Sequence, residues 1–357
     1  MGYKVSSTNR LWFLLILIAV LGGCRPLGHI PAQSELVLGT LCTVNLYRGG
    51  TTRLYRQIFA RLREIEASMS VNRADTEADR INQNAGIAPV RVSPELMEVL
   101  ERARYYAEAS GGVFDPTVGP LVKLWGIGTD TPRLPEEAEI RAALGLVNWR
   151  ELVLDPAAGT AFLSRTGMAL DLGAIAKGYA ADEAVRLIEE AGLPGAVIDL
   201  GGNIFAYGTR ERGKLRFSLK EGFRFPKNTW RLGIQNPQAL RGDYVGVLEL
   251  INKTLVTSGI YERNFEAQGR QYHHILSTKT GYPVENGLLS VTIIGDRSVD
   301  ADALSTAAFA LGFEKGRALI ETAGAEGLFI FRDRSIRGTA KALELFTLTD
   351  QSYRIME

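Results

Sequence analysis

Leu170-Asp171-Leu172-Gly173-Ala174-Ile175-Ala176-Lys177-Gly178-Tyr179-Ala180-Ala181-Asp182 reads as a buried strand end that turns through glycine into a helix. A second stretch, Asp300-Ala301-Asp302-Ala303-Leu304-Ser305-Thr306-Ala307-Ala308-Phe309, opens another helix. Asp302 and Thr306 stand i, i+4 there, so both oxygens leave the same face. Mg²⁺ takes oxygen ligands and usually keeps room for water or substrate phosphate. The two segments together therefore suit a metal-bound diphosphate.

Around them the hydrophobic pattern mixes both periods. Leu36 to Tyr47 alternates as a strand, and Leu54, Ile58, Leu62, Ile65 and Met69 form one helical stripe. Ser93-Pro94 is a helix start whose stripe, Leu96, Leu100, Ala103 and Ala107, stops at Gly111-Gly112. A further stripe runs through Ala180, Ala184, Leu187 and Ile188 to Gly192. Strands are expected at 161–172, 196–207, 230–235, 244–251, 271–277, 289–294, 328–332 and 343–348, with helices at 301–311 and 314–323. Hairpin-like strand runs broken by isolated helices indicate an α+β fold rather than a doubly wound parallel sheet.

The amino terminus reads as an export signal: basic Lys4 and Arg10, an apolar run from Leu11 to Val20, then Leu21-Gly22-Gly23-Cys24. That tetrapeptide matches a lipobox, with Cys24 as the lipidated first residue of the mature chain. The apolar run falls short of the about 20 residues that span a bilayer. Residues 1–23 are thus expected to be a lipoprotein signal, 24–34 a tether and 35–350 the folded domain. The enzyme would be held at a membrane surface in the cell envelope, outside the cytoplasm. Only Cys42 remains after processing, so no internal disulfide can form; its apolar surroundings make it a small buried hydrophobe. The net charge is +1, or −1 once Lys4 and Arg10 are removed, which argues against a nucleic-acid partner.

Absences narrow the chemistry. There is no P-loop, and Gly126-Ile127-Gly128 lacks the rest of a dinucleotide fingerprint. There is no G-x-S-x-G elbow and no H-E-x-x-H, and with only His29, His273 and His274 a histidine-rich zinc site cannot be built. Phosphate-directed chemistry with an oxygen-bound metal survives.

Several candidate residues admit two readings. Asp302 could be a helix N-cap and Thr306 a core residue. Asp171, between Leu170 and Leu172, should be buried and paired. Lys177 lies in a first helical turn, where an anionic partner would offset its charge; it is otherwise a surface lysine. Phe114 reads as core or as a ligand contact, and Asp115 before Pro116 as turn residue or ligand contact. His273 and His274 face opposite ways on one strand, so at most one of them points into a site.

Four further segments complete the pattern: Ser110 to Leu121, Val197 to Asn203, Thr257 to Arg263 and Tyr272 to Pro283. In this order, behind a lipobox, the six segments resemble the ApbE-type flavin transferases, FAD:protein FMN transferases once labelled thiamine-biosynthesis lipoproteins. The resemblance runs from Leu38-Gly39-Thr40 to Leu311-Gly312 and implies a T-fold-like α+β single catalytic domain. It implies that FAD is the substrate, that FMN passes to a threonine or serine of an exported acceptor such as a membrane redox-complex subunit, and that AMP leaves. Some similar proteins instead hydrolyse FAD to FMN and AMP, and a flavin-storing lipoprotein without chemistry is a third reading. Mg²⁺ ligands map onto the Ala174 carbonyl, Asp302 and Thr306. FAD contacts map onto Leu38, Asn72, Val113, Phe114, Asp115, Asp171, Lys177, Ile275 and Leu276. His274 matches the family's His-Ile pattern; with Asp302 it is the expected catalytic residue, as proton acceptor. The chain departs from the pattern at Val71-Asn72, where an aromatic is common, at Leu38, which replaces a methionine, and at Ser277-Thr278, which replaces Asp-Pro.

Overall fold

The computed structural model describes residues 30–209 and 229–356. The expected signal peptide and Cys24 lie outside them, as does the first half of the expected tether. The described body reaches beyond the expected 35–350 interval at both ends, because Gln33 already pairs with Val44 and the last strand is Arg354–Ile355. No helix among the described residues is long and apolar enough to cross a membrane.

Nine strands form the main sheet, and they lie side by side in the order they occur along the chain. They are Gln33–Val37, Thr40–Tyr47, Gly195–Leu200, Asn203–Gly208, Lys253–Gly259, Leu288–Gly295, Glu326–Phe331, Ser335–Gly338 and Arg354–Ile355. Every neighbouring pair is antiparallel except the last, Ser335–Gly338 with Arg354–Ile355. Helices and small sheets are inserted between these strands, which makes the protein α+β.

Local chemistry sets the helices. Thr51 caps Thr52–Met69 by accepting the Leu54 N–H, and the expected stripe from Leu54 to Met69 is buried. Ser93 caps Pro94–Ala109 in the same way through Leu96. That helix ends at Gly111, whose φ of +67° turns the chain so that the Gly112 N–H reaches the Ala107 carbonyl.

Five expected strands change, among them 271–277, which pairs only over Arg270–His273. The 36–47 run is a hairpin, because Leu38 and Gly39 both adopt positive φ (58° and 68°) and reverse the chain. The 196–207 run is likewise split by Gly201-Gly202. Within 161–172 only Thr160–Leu163 pairs; beyond it the backbone bonds irregularly, Leu170 N to Asn82 Oδ1 and Asp171 N to the Pro116 carbonyl. Residues 343–348 are the end of helix Ala340–Leu345 and a strand of three residues, so apolar content alone misled.

Helix Ser298–Leu311 is buried on nearly every side, its small residues packed between helix Ala176–Glu190 and the main sheet. It starts two turns before Thr306, so Asp302 is not its cap. Asp182 on the neighbouring helix caps it instead, accepting from Ser298 N at 2.7 Å and Val299 N at 3.1 Å. Burial pushes the Asp182 carboxyl up to about 6 against the pull of those two N–H groups. Cys42 is fully buried, its thiol directed at the Val37 carbonyl.

Candidate functional site

The Ala176 and Ser298 helices touch at Gly178. A Cβ there would lie 2.3 Å from the Ser298 carbonyl oxygen and 2.6 Å from Val299 Cα, so only glycine allows this approach. The contact has a chemical consequence. Gly178 is the third residue of its helix, where the N–H has no carbonyl partner within the helix. It donates to Asp302 Oδ2 at 2.9 Å, while the Ala174 carbonyl precedes the N-cap Ile175 and stands outside the helical ladder.

Asp302 is 4% exposed. Burial pushes its carboxyl up, opposed by the Lys177 ammonium and the Gly178 N–H. Lys177 Nζ sits 3.8 Å from Asp302 Oδ1 and donates to the Gly173 carbonyl at 2.7 Å. One turn beyond Asp302, the half-buried Thr306 hydroxyl lies 3.2 Å from Ser258 Oγ, which is 2.7 Å from Ser305 Oγ. Asp302 and Thr306 thus put a buried carboxylate and a hydroxyl on one helix face, oxygen donors of the kind a hard cation takes. Among the described residues no group of three or more His, Cys, Asp or Glu could hold a metal, so any metal here depends on these mixed oxygens.

Lys177 joins the other parts. Its ammonium lies between the Gly173 carbonyl and Asp302, and it opposes the upward push that burial gives the Asp302 carboxyl. His274 is not on a strand: pairing stops at His273 because Ile275 N turns back to His273 Nδ1. His273 is a satisfied core residue, with Nε2 on the Val284 carbonyl at 2.9 Å and its ring edge-on to Phe309. His274 Nδ1 lies 3.2 Å from the Arg263 carbonyl, which fixes the proton on Nδ1 and leaves Nε2 as the basic nitrogen. Burial, with Arg263 and His273 adding to it, pushes His274 down to about 4.

The expected flavin contacts divide. Leu38 holds a left-handed backbone at the first hairpin turn and packs on the main core. Asp171 is half-buried rather than buried, its Oδ1 accepting the Gly173 N–H in a local turn at 2.8 Å. Phe114 is buried in the main core. Asp115 spends Oδ1 on Thr117 N and Oγ1 and Oδ2 on Trp149 N, so its carboxylate fixes a turn. Val113 borders a pocket of about 110 Å³ together with Thr278, Lys279, Leu311 and Lys315. Thr278 Oγ1 ties this turn to the Gly112 carbonyl at 2.7 Å, which shows how the chain manages without Asp-Pro there. Ile275 and Leu276 are buried beside it, and Asn72 is exposed.

Three residues escaped notice in the sequence: Asp182, Ser258 and Asn203. Each stands in a segment singled out above, yet each acts on a partner more than 40 positions away. No local spacing rule could have paired them.

The model of the ApbE family matches residues 38–329. The chain belongs to the ApbE family. It is 38% identical to the FAD:protein FMN transferase of Treponema pallidum, over 98% of this chain and 99% of that one. It is 34% identical to a Klebsiella pneumoniae protein of the same name, over 92% and 98%. The crystal structure of the ApbE protein of Thermotoga maritima superposes with a TM-score of 0.76 at 28% identity, covering 88% of this chain and 98% of that one. The apo flavinyl transferase ApbE of Pseudomonas stutzeri gives 0.74 at 28%, covering 89% and 97%. In this ApbE-family chain the match runs from the first hairpin turn into the strand Glu326–Phe331.

Proposed function

We propose that this protein is an FAD:protein FMN transferase, which moves FMN from FAD to a threonine or serine hydroxyl of an exported acceptor and releases AMP. The observation that carries this reading is the buried Asp302 carboxylate at the junction of two helices, held by the Gly178 N–H, with Lys177 beside it and Thr306 one turn on. Full-length similarity to proteins of that name supports it.

Ala174, Asp302 and Thr306 would hold Mg²⁺, which when bound neutralises charge on the parting phosphates. Lys177 adds a fixed positive charge in the same place, held by Gly173 and Asp302. His274 Nε2 accepts the proton of the attacking hydroxyl. A free-enzyme value of about 4 makes His274 neutral and ready at physiological pH. The acid limb of kcat/KM therefore falls near pH 4 rather than near 6.5, because that ratio reports the free enzyme. His274→Ala should remove the limb and most of the turnover; near-normal turnover would refute the role.

We place the enzyme at the outer face of a membrane through lipidated Cys24, where exported acceptors are found. Incubation with FAD, Mg²⁺ and a candidate acceptor tests the activity. Flavin fluorescence that stays on the acceptor in a denaturing gel is the expected result. Free FMN with AMP would mean a diphosphatase, and intact FAD a carrier.

A further inference from the structure

We infer that Asn203 is a positioning residue that aims the Asp302 carboxylate. Asn203 opens the strand after the Gly201-Gly202 turn and is 1% exposed. Its side chain has no room to swing out to solvent, so every polar atom needs a partner inside. The oxygen has one: Ser298 Oγ donates to Asn203 Oδ1. Thr254 Oγ1, which donates to the Ile204 carbonyl at 3.0 Å, lies 2.8 Å from the same Ser298 hydroxyl. With its oxygen held at Ser298, the amide has its NH₂ as the free end.

That NH₂ group, Asn203 Nδ2, is buried and has no hydrogen-bond partner among the described residues. Ser298 and Asp302 stand i, i+4 on one face of their helix, so the amide held at Ser298 lies on the side from which Asp302 projects, and it acts on that carboxylate as a donor would. Asp302 receives the Gly178 N–H on Oδ2 alone, while Lys177 stands 3.8 Å from Oδ1. A carboxylate with one firm hydrogen bond can rotate about its Cβ–Cγ bond, and a second donor from the strand side would stop it. Outer groups that orient a ligand typically change metal affinity 10- to 100-fold when removed. Asn203 is therefore an unpartnered donor placed where the ligand needs fixing, on a strand of the main sheet and with its amide oxygen held by Ser298.

The inference rests on the proposed cation site, and the test separates the two. Binding of Mg²⁺ alone to the flavin-free protein is measured by titration calorimetry for Asn203→Ala, Asn203→Asp and Asp302→Ala, with melting temperatures alongside. Asn203→Asp has the same shape but presents an acceptor in place of the donor, so it keeps the packing if the alanine variant does not fold. We expect both Asn203 variants to bind Mg²⁺ about tenfold or more weakly, with kcat for FAD cleavage falling more than KM for FAD rises. Asn203→Gln should not rescue, since its longer arm cannot keep both contacts. Mg²⁺ affinity within twofold of the parent in a folded Asn203→Asp or Asn203→Ala protein overturns the inference, whatever happens to the melting temperature. If Asp302→Ala also leaves Mg²⁺ binding unchanged, the cation site itself is wrong and the inference falls with it. If Asp302→Ala abolishes binding while the Asn203 variants do not, only the role of Asn203 is lost.

Discussion

Replacing Asp302 with alanine abolishes Mg²⁺-dependent release of AMP from FAD while leaving the protein folded. Loss of one electrostatic group at a developing charge costs about 10²–10³ in rate; loss of the one carboxylate in the donor set should cost at least that. The fold should survive because burial works against this carboxylate rather than for it. Taking a charge out of water is unfavourable unless it is paired, and here the Lys177 partner stands no closer than 3.8 Å. The melting temperature of the metal-free variant is therefore expected to stay level or rise. The parent should gain stability as Mg²⁺ is added, by mass action, and the variant should not. Circular dichroism, scanning calorimetry with and without Mg²⁺, and an AMP assay check all three. A variant that still cleaves FAD when Mg²⁺ is supplied removes Asp302 from the donor set.

A methyl group at Gly178 drives apart the two helices that build the site. Alanine is normally the better helix former by about 1 kcal/mol, and position 178 is inside a helix. That gain is outweighed, because the new Cβ would stand 2.3 Å from the Ser298 oxygen and 2.6 Å from the Ser298 carbon and Val299 Cα. These are backbone atoms of a helix buried on nearly every side, so neither partner yields cheaply. Overpacking of this kind costs about 1–3 kcal/mol, occasionally more. A domain of this size loses about 2–4 °C of melting temperature per kcal/mol. The same displacement breaks the Gly178–Asp302 hydrogen bond and moves the Asp302 carboxylate away from Lys177 and the start of the neighbouring helix. Gly178→Ala should therefore melt several degrees lower and lose FAD cleavage together. Unchanged melting and turnover would show that the helices are not held this closely.

The same pair of helices shows what could be read in advance. Helices 52–69 and 94–109 were legible because capping and apolar period agree over four turns, and these signals are local. The α+β class followed from them and from the hairpin runs. Strand ends were legible only where residues alternate against a ladder. Leu170 to Ile175 is apolar yet forms no ladder, because Asn82 and Pro116 satisfy its backbone from other segments. Apolar content cannot distinguish that arrangement from a strand. His274 was expected on a strand and stands just after one, for the same reason: a side-chain nitrogen, not a ladder, takes the Ile275 N–H.

At the candidate site, the spacing of Asp302 and Thr306 placed two oxygens on one face, and the resemblance supplied the Ala174 carbonyl. What ties the two segments together is a hydrogen bond between residues 178 and 302, which no single segment contains. Asp115 illustrates the converse. Its place before Pro116 admitted a turn role, and its carboxylate is in fact used up by Thr117 and Trp149. Asp182 caps a helix from another helix, an arrangement that becomes visible only when the chain is folded.

The position of the cation tests the account most directly. Crystals of the mature protein soaked with FAD and Mn²⁺, a close stand-in for Mg²⁺ with strong anomalous scattering, would reveal it. The account predicts one anomalous peak in contact with the Ala174 carbonyl, the Asp302 carboxylate and the Thr306 hydroxyl, adjoining the flavin dinucleotide's phosphates. A peak bound elsewhere, or a bound dinucleotide with no ion between those three groups, would contradict it.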